Sequence, residues 1–247
     1  LAVFFSLVGL RAQELASQEH DTGKTTYSSI VQVDTDTYAI AYAGVDNDGF
    51  IATFTISADG TSISEAASLE HETAKSLYNS MVQVDLDTYA VAYTGNNNDG
   101  YIATFTISAD GSSITEVDQL EHSTTNGEYN SLVMVDSDTY AVAYTGAGDD
   151  GFIATFTISA DGTSISEVAS LEHDNKKGQH HSLVQVDSDT YALAYSGKDD
   201  DGFISTFTIS ADGSTITEVA SLEHDTNYGK FNSLIQVDAD TYALAYT

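Results

Sequence analysis

The chain has 247 residues, of which 41% are hydrophobic and 10% aromatic, a composition typical of a folded protein rather than a disordered segment. Its 38 acidic residues against 7 Lys and Arg give a formal net charge of −31. Such a surface repels nucleic acid and anionic membranes, so we expect neither as a partner.

The sequence contains no Cys, which excludes disulfides and thiolate metal sites. It contains no Pro either, so its turns must be built from Gly, Asp, Asn and Ser. No apolar run reaches the roughly 18 residues that a membrane-spanning helix needs. The acidic surface and the lack of Cys fit an extracellular, secreted protein, with an acidic cytoplasmic protein as the alternative.

The first ten residues, LAVFFSLVGL, allow several interpretations. They resemble the apolar core of a secretory signal, although no initiator Met or basic leader precedes them. Alternatively, residues 14–20 (ELASQEH) align with residues 218–224 (EVASLEH), so residues 1–19 supply the last two strands of a repeat. We expect the second arrangement, with a fragment of a longer repeat gene as the remaining alternative.

One unit of 51 residues repeats along the rest of the chain. Glu-His recurs with this step at His20, His71, His122, His173 and His224, and the string TFTISADG occurs four times. The repeats are 20–70, 71–121, 122–172, 173–223, and 224–247 completed by 1–19. Repetition at this length is typical of solenoids and propellers.

Each unit predicts four strands and no helix, because its apolar residues alternate with a period of two. In the first unit the strands are Ser28–Val33, Tyr38–Tyr42, Phe50–Ser57 and about Ile63–Leu69. The turn ADGT after the third strand carries the Asp-Gly hairpin signal. In the second strand large side chains share one face and Ala residues share the other, which suits sheets stacked face to face.

Four-stranded units of this length are typical of propeller blades. The Glu-His after the fourth strand resembles the Gly-His of WD repeats, although the Trp-Asp dipeptide is missing. In length and count the chain resembles five-bladed, tachylectin-type lectin propellers in architecture only. We therefore predict an all-β, five-bladed β-propeller formed as a single domain, whose last blade is closed by strands from both termini. A β-solenoid and a string of sandwich domains are the alternatives.

Sequence variation separates the two ends of such a propeller. The turns DxDT and SADG barely change between copies, whereas the inter-blade loops and the acidic loops vary and carry six of the seven basic residues. Because binding modules place variable loops on a constant scaffold, we expect any ligand at the variable end. Neutral drift in solvated loops is the alternative.

An aromatic residue followed by a polar one recurs at this variable end. Flat rings beside amides suit sugars, so we predict glycan binding there; rings that only fill the spaces between blades are the alternative. The predicted ligand-binding residues are Tyr27, Tyr78, Asn79, Tyr129, Asn130, His180, His181, Phe231 and Asn232.

The acidic loops offer clustered carboxylates, which hard cations such as Ca²⁺ prefer. They vaguely resemble the DxDxDG loops of calcium-binding propellers, although VDNDG supplies only two carboxylates and the later acidic ligand is missing; a solvated turn ending in Gly is the alternative. The candidate metal ligands are Asp46, Asp48, Asp99, Asp149, Asp150, Asp199 and Asp201. For the repeated His residues we expect one structural hydrogen bond per blade rather than a metal-binding ring.

The sequence favours a multivalent extracellular binding module with a glycan or extracellular protein as partner. Every strongly placed carboxylate recurs in each copy, whereas a catalytic pair usually breaks repeat symmetry, so we expect no enzyme; a glycoside hydrolase using paired carboxylates is the weaker alternative. The remaining alternative is a structural, adhesion or filament protein held together by edge pairing. A closed ring predicts a monomer, and an open one predicts self-association.

Overall fold

The computed structural model describes residues 2–8 and 11–247, with side chains from Glu14 onward. Each central repeat forms one four-stranded antiparallel sheet, which we call a blade. Blade 1 contains β3 (Thr26–Gln32), β4 (Thr37–Ala43), β5 (Gly49–Ile56) and β6 (Ile63–Glu72). Blade 2 contains β7 (Leu77–Gln83), β8 (Thr88–Thr94), β9 (Gly100–Ile107) and β10 (Ile114–Ser123). Blade 3 contains β11 (Glu128–Met134), β12 (Thr139–Thr145), β13 (Gly151–Ile158) and β14 (Ile165–Asp174). Blade 4 contains β15 (Gln179–Gln185), β16 (Thr190–Ser196), β17 (Gly202–Ile209) and β18 (Ile216–Asp225).

Two hairpins carry the four strands of the fifth repeat, and the five-bladed all-β prediction is thereby confirmed. They are β1 (Ala2–Val8) with β2 (Arg11–Gln18), and β19 (Ser233–Asp238) with β20 (Thr241–Ala245). For residues 2–8 and 11–247, sheet hydrogen bonds leave the hairpins as separate two-stranded sheets, so β1 pairs with β2 and not with β20. β2 packs beside β6, and β19 beside β15. Among the described residues, no ladder of hydrogen bonds therefore joins the two hairpins into one four-stranded last blade. Residues 1, 9 and 10 lie outside the described residues.

The first strand of each blade is the inner one. β3 contacts β7, β7 contacts β11, β11 contacts β15, and β15 contacts β19, so these strands line a common axis. The two ends of the molecule differ as predicted: the DxDT and SADG turns lie at one end, and the inter-blade and acidic loops lie at the other, which we call the loop end.

The hydrophobic core lies between neighbouring blades, because the second strand of each blade has one face of large residues and one face of Ala residues. Tyr89, Val91 and Tyr93 of β8 are fully buried against Ala39 and Ala41 of β4. The large face of one blade thus packs on the small face of the blade before it. Because the same YAxAY pattern recurs, blades 3 and 4 repeat this packing.

Short turns with left-handed central residues, which the sequence did not predict, occupy the acidic loops of the four blades. Their bounds are Val45–Asn47, Asn96–Asn98, Ala147–Asp149 and Lys198–Asp200. Each loop is closed by a backbone hydrogen bond, such as the one from Gly95 N to Asp99 O at 2.8 Å. In the part of the chain that the structure describes, no helix is long and apolar enough to cross a membrane.

Candidate functional site: an aromatic cavity at the loop end

An unusual backbone conformation positions the predicted aromatic residues. Tyr27, Tyr78, Tyr129, His180 and Phe231 have φ between 52° and 56°, the left-handed region that L-residues avoid. In blades 1 to 4 the pairing between the first and second strands shifts in register at this position, for example between Thr26 and Ser29. This is a β-bulge, a device that turns a side chain away from its usual direction. The left-handed conformation costs about 1–2 kcal/mol per residue, which marks these positions as candidates for function.

The left-handed positions bring all five aromatic side chains together; we call this set the aromatic arc. Ring centroids are 4.3 Å apart between Tyr27 and Tyr78, 4.2 Å between Tyr78 and Tyr129, 4.3 Å between Tyr129 and His180, and 4.4 Å between His180 and Phe231. With Lys230 they line a cavity of about 400 Å³. Tyr27 is 41% and Phe231 69% exposed, so the arc is open to solvent.

Burial and neighbouring hydroxyls set the chemistry of the arc. Burial and hydrogen bonds to Tyr129 and Tyr27 raise the pKa of Tyr78, which therefore stays protonated and can donate. Burial, followed by the charges of Lys230 and Lys177, lowers the pKa of His180 to about 4, so its ring is neutral near pH 7. The arc is thus an uncharged aromatic surface with hydroxyl donors.

The polar residues that follow the aromatic ones lie behind the arc and mostly hold backbone. Asn130 Nδ2 donates to Gly127 O at 3.1 Å, and Asn79 Nδ2 donates to Ser76 O at 3.1 Å. Asn232 Nδ2 donates to His180 O at 3.0 Å, across the gap between blade 4 and the β19–β20 hairpin. The Nδ1 atom of His181 lies 3.3 Å from Tyr129 O. The predicted amide donors are therefore used to fix the bulges.

Some polar atoms of these same residues make no hydrogen bond within the protein. Asn130 Oδ1, Asn232 Oδ1 and His181 Nε2 are buried and have no hydrogen-bond partner. Asn130, Asn232 and His181 line a smaller cavity of about 190 Å³ together with the arc, and their role in binding stays a prediction.

Ion pairs that the sequence did not predict fix the loops around the arc. Asp200 accepts hydrogen bonds from Lys177 and Lys230, the latter at 2.7 Å, and these bonds lower its pKa. Lys75 donates to Asn98, the residue equivalent to Asp200 in blade 2. Spacing alone could not reveal these pairs, because they join loops of the same end that are 23 or 30 residues apart.

The predicted metal ligands do not converge. Within residues 14–247, no group of three or more His, Asp or Glu side chains is arranged to hold a metal ion. The predicted ligands instead lie in the acidic loops of separate blades, at Asp46, Asp48, Asp99, Asp149, Asp150, Asp199 and Asp201. Calcium binding stays a prediction that would need backbone or water oxygens in addition to these carboxylates.

The prediction that each repeated His residue makes a structural hydrogen bond is wrong. Both ring nitrogens of His71, His122 and His173 are buried without a hydrogen-bond partner. Their rings instead pack edge-on against a Tyr and a Phe; the centroids of His122 and Tyr144 are 4.8 Å apart. Burial lowers the pKa of His122 to about 4, so the side chain is a neutral packing group.

Comparison with solved structures shows the fold. A protein from Lactobacillus plantarum is 13% identical with a TM-score of 0.68, over 92% of this chain and 65% of that one. The SapL1 lectin, solved in complex with alpha methyl fucoside, is 11% identical with a TM-score of 0.55, over 88% of this chain and 70% of that one. No family model and no curated protein matches the chain.

A third solved structure corrects the expectation that the protein is no enzyme. The periplasmic gluconolactonase PpgL of Pseudomonas aeruginosa is 12% identical with a TM-score of 0.50, over 90% of this chain and 79% of that one. PpgL is an enzyme with this architecture. The symmetry of the repeats therefore does not exclude catalysis. At these identities the likenesses establish that the chain has a β-propeller fold and no more.

Proposed function

We propose that the protein is an extracellular binding module that holds a carbohydrate in its aromatic arc. The observation that carries this proposal is that five residues in the left-handed conformation turn five aromatic side chains into one cavity. A packing role alone would not require a left-handed backbone, because the aromatic residues of the blade cores are packed in ordinary strands.

The chemistry of the arc fits a neutral sugar. Aromatic rings cover the apolar face of a pyranose, and tyrosine hydroxyls exchange hydrogen bonds with its hydroxyl groups. The net charge of −31 disfavours anionic glycans. The fucoside-bound lectin supports the proposal only as an example of a sugar-binding protein with this fold. Because the arc lines one cavity, we expect one ligand per chain at this site, rather than one per blade.

A glycan array with the Tyr129→Asn variant tests this function. Asn tolerates the left-handed conformation at φ 56°, so the variant removes the ring from the arc while keeping the bulge. We expect binding to fall at least tenfold. Tyr228→Ser is the matched control, because Tyr228 is a 60% exposed tyrosine of the same end outside the cavity lining. No signal on any glycan, or equal binding by both variants, contradicts the proposal.

A chelator arm tests the calcium prediction in the same assay. If calcium bound in the acidic loops supports the arc, chelation lowers both glycan binding and the melting temperature. If neither changes, calcium has no part in this site.

Self-association is a second candidate, favoured by exposed apolar residues on β19 and β18. Ile235 and Val237 are each 64% exposed, and Leu222 is 63% exposed, whereas the equivalent residues of inner blades are half-buried or buried. Light scattering over a concentration series tests it. A mass that stays that of a monomer contradicts it, and a rising mass that Ile235→Lys abolishes supports it.

A further inference from the structure

The inner strands of neighbouring blades meet through an apolar contact that recurs along the chain. Met81 of β7 is buried in the cluster into which Val31 and Val33 of β3 pack. The equivalent residues of the next three inner strands are buried in the same way against the strand before them; they are Leu132, Leu183 and Leu234. Each inner strand therefore presents a large apolar residue to its predecessor and two valines to its successor.

A hydrogen bond joins the same pairs of strands. Met81 N donates to Ser29 Oγ at 3.0 Å. The same bond forms at each later junction, where Ser80, Ser131 and Ser182 accept at 2.9 to 3.0 Å from the residues equivalent to Met81. Four successive junctions thus contain the same two contacts, one apolar and one polar.

Both halves of this junction are open on the two inner strands that pack beside only one other inner strand, β3 and β19. Ile30 is the β3 residue equivalent to Met81, and it is 53% exposed, whereas Met81 is 5% exposed. Ile235 and Val237 of β19 continue the series of valines, and both are exposed. Ser233 continues the series of serines, and in the described part of the chain it is exposed and receives no such bond.

The open surface of the β19–β20 hairpin is the small face that every complete blade but the last covers with its successor. Ala243 and Ala245 of β20 are exposed, whereas Ala39 and Ala41 of β4 are covered by blade 2. Strand β3 contains no charged residue, and Asp238 is the one charged residue of strands β19 and β20. Joining the two surfaces therefore buries apolar area with little cost from desolvated charge.

We propose that the β19–β20 hairpin binds the β3 strand of a second copy of the chain; the proposal rests on the self-association named above as the second candidate function, and it specifies the interface. Ile30 of the second copy packs on Ile235 and Val237, and its backbone N–H donates to Ser233 Oγ. The chain does not fill this surface itself, because its own Ile30 and Ile235 are both exposed. The contact continues the junction that the chain already forms four times.

The proposed contact joins two different surfaces, so the copies dock head to tail. Such docking links more than two copies unless the rotation between them closes a ring. Each copy carries a net charge of −31, and the copies therefore repel one another at low ionic strength. Association should rise with added salt, which screens this repulsion and leaves the uncharged contact unchanged.

Mixing two single-cysteine variants tests the docking, because the chain has no Cys of its own. Ile30 and Ser233 are both exposed, so Ile30→Cys and Ser233→Cys should each leave the fold intact. Under mild oxidation the mixture should form a disulfide-linked dimer at least tenfold faster than either variant alone, and faster in high salt. Leu86→Cys in place of Ser233→Cys is the control, since Leu86 is an exposed residue of a DxDT turn at the opposite end.

A mixture that forms no disulfide, or that links equally fast with Leu86→Cys, overturns the proposal. The double variant Ile30→Cys with Ser233→Cys should form disulfide-linked oligomers; a disulfide that leaves it a monomer would show that one chain closes on itself, and would also overturn the proposal. A mass that rises in light scattering without this disulfide would keep self-association as a function and reject this interface. The readout does not depend on glycan binding in the aromatic arc.

Discussion

The hydroxyl of Thr104 donates a 2.7 Å hydrogen bond to the carbonyl of Gly162, which lies 58 residues later in the next blade. Thr53 and Thr155 make the same bond to Gly111 and Gly213 at 2.6 and 2.7 Å. All three hydroxyls are buried. In each of blades 1 to 3, the third strand is therefore hydrogen-bonded to the SADG turn of the next blade.

Thr104→Val should destabilise the protein by about 1–3 kcal/mol, because it leaves the carbonyl of Gly162 buried without a donor. Urea unfolding measures the change. Thr106→Val is the control, since Thr106 lies on the same strand and is only half-buried. A cost for Thr104→Val no larger than that of the control would show that the bond contributes little.

Acid should destabilise the protein between pH 6.5 and about 4. Burial lowers the pKa of folded His122 from 6.5 to about 4, so in this range the unfolded chain takes up a proton that the folded chain does not. The stability is thus complete above pH 6.5 and is lost as the pH falls, by about 3 kcal/mol for this residue.

Urea unfolding at several pH values, in the wild type and in His122→Phe, measures this effect. The variant should show a smaller loss of stability between pH 6.5 and 4, whatever its absolute stability. His224→Phe should change the slope less, because His224 lies in the more open last copy. Equal slopes for wild type and His122→Phe would mean that His122 titrates normally in the folded protein.

Gly100→Ala should be strongly destabilising. An added Cβ would lie 2.6 Å from Cε1 of His122 and 3.1 Å from the Cα of Gly127, with backbone on one side and a packed ring on the other. We expect a loss of at least about 1–3 kcal/mol. In a His122→Ala background the same change should destabilise the protein less. An unchanged loss would show that the added Cβ collides with the backbone of Gly127 rather than with His122.

Gly148→Asn should stabilise the protein by about 0.5–1 kcal/mol. Gly148 has φ 76°, and the equivalent residue of blade 2, Asn97, already holds φ 57°. The nearest neighbour of an added Cβ is Asp150 Oδ2 at 3.4 Å, so space is available. The gain comes from fewer conformations of the unfolded chain. Gly148→Val is the control and should destabilise, because a β-branched residue resists this conformation.

Repetition made the blades predictable, and the reason is visible in single residues. The alternation of Tyr89, Ala90, Val91, Ala92 and Tyr93 dictates one large and one small face, and the structure packs one on the other. The 51-residue step of the aromatic residues also predicted that they would lie at one end, because equivalent positions of a propeller lie around one axis.

Other features depend on contacts that a single unit does not reveal. Nothing in the string LYNS announces that Tyr78 has a positive φ, since neither Gly nor Asn stands at that position. The Glu-His repeat pointed to a hydrogen bond, whereas the His rings are buried among aromatic side chains of the following blade. Closure of the fifth blade depends on the relative placement of two distant hairpins, which the register of a repeat cannot determine.

The bonds from Thr53, Thr104 and Thr155 all point forward along the chain, so each blade completes the one before it. A single blade removed from the array would lose partners on both of its faces. The stability of each blade should therefore reside mainly in its two interfaces, so that damage to one interface weakens both of the blades that share it.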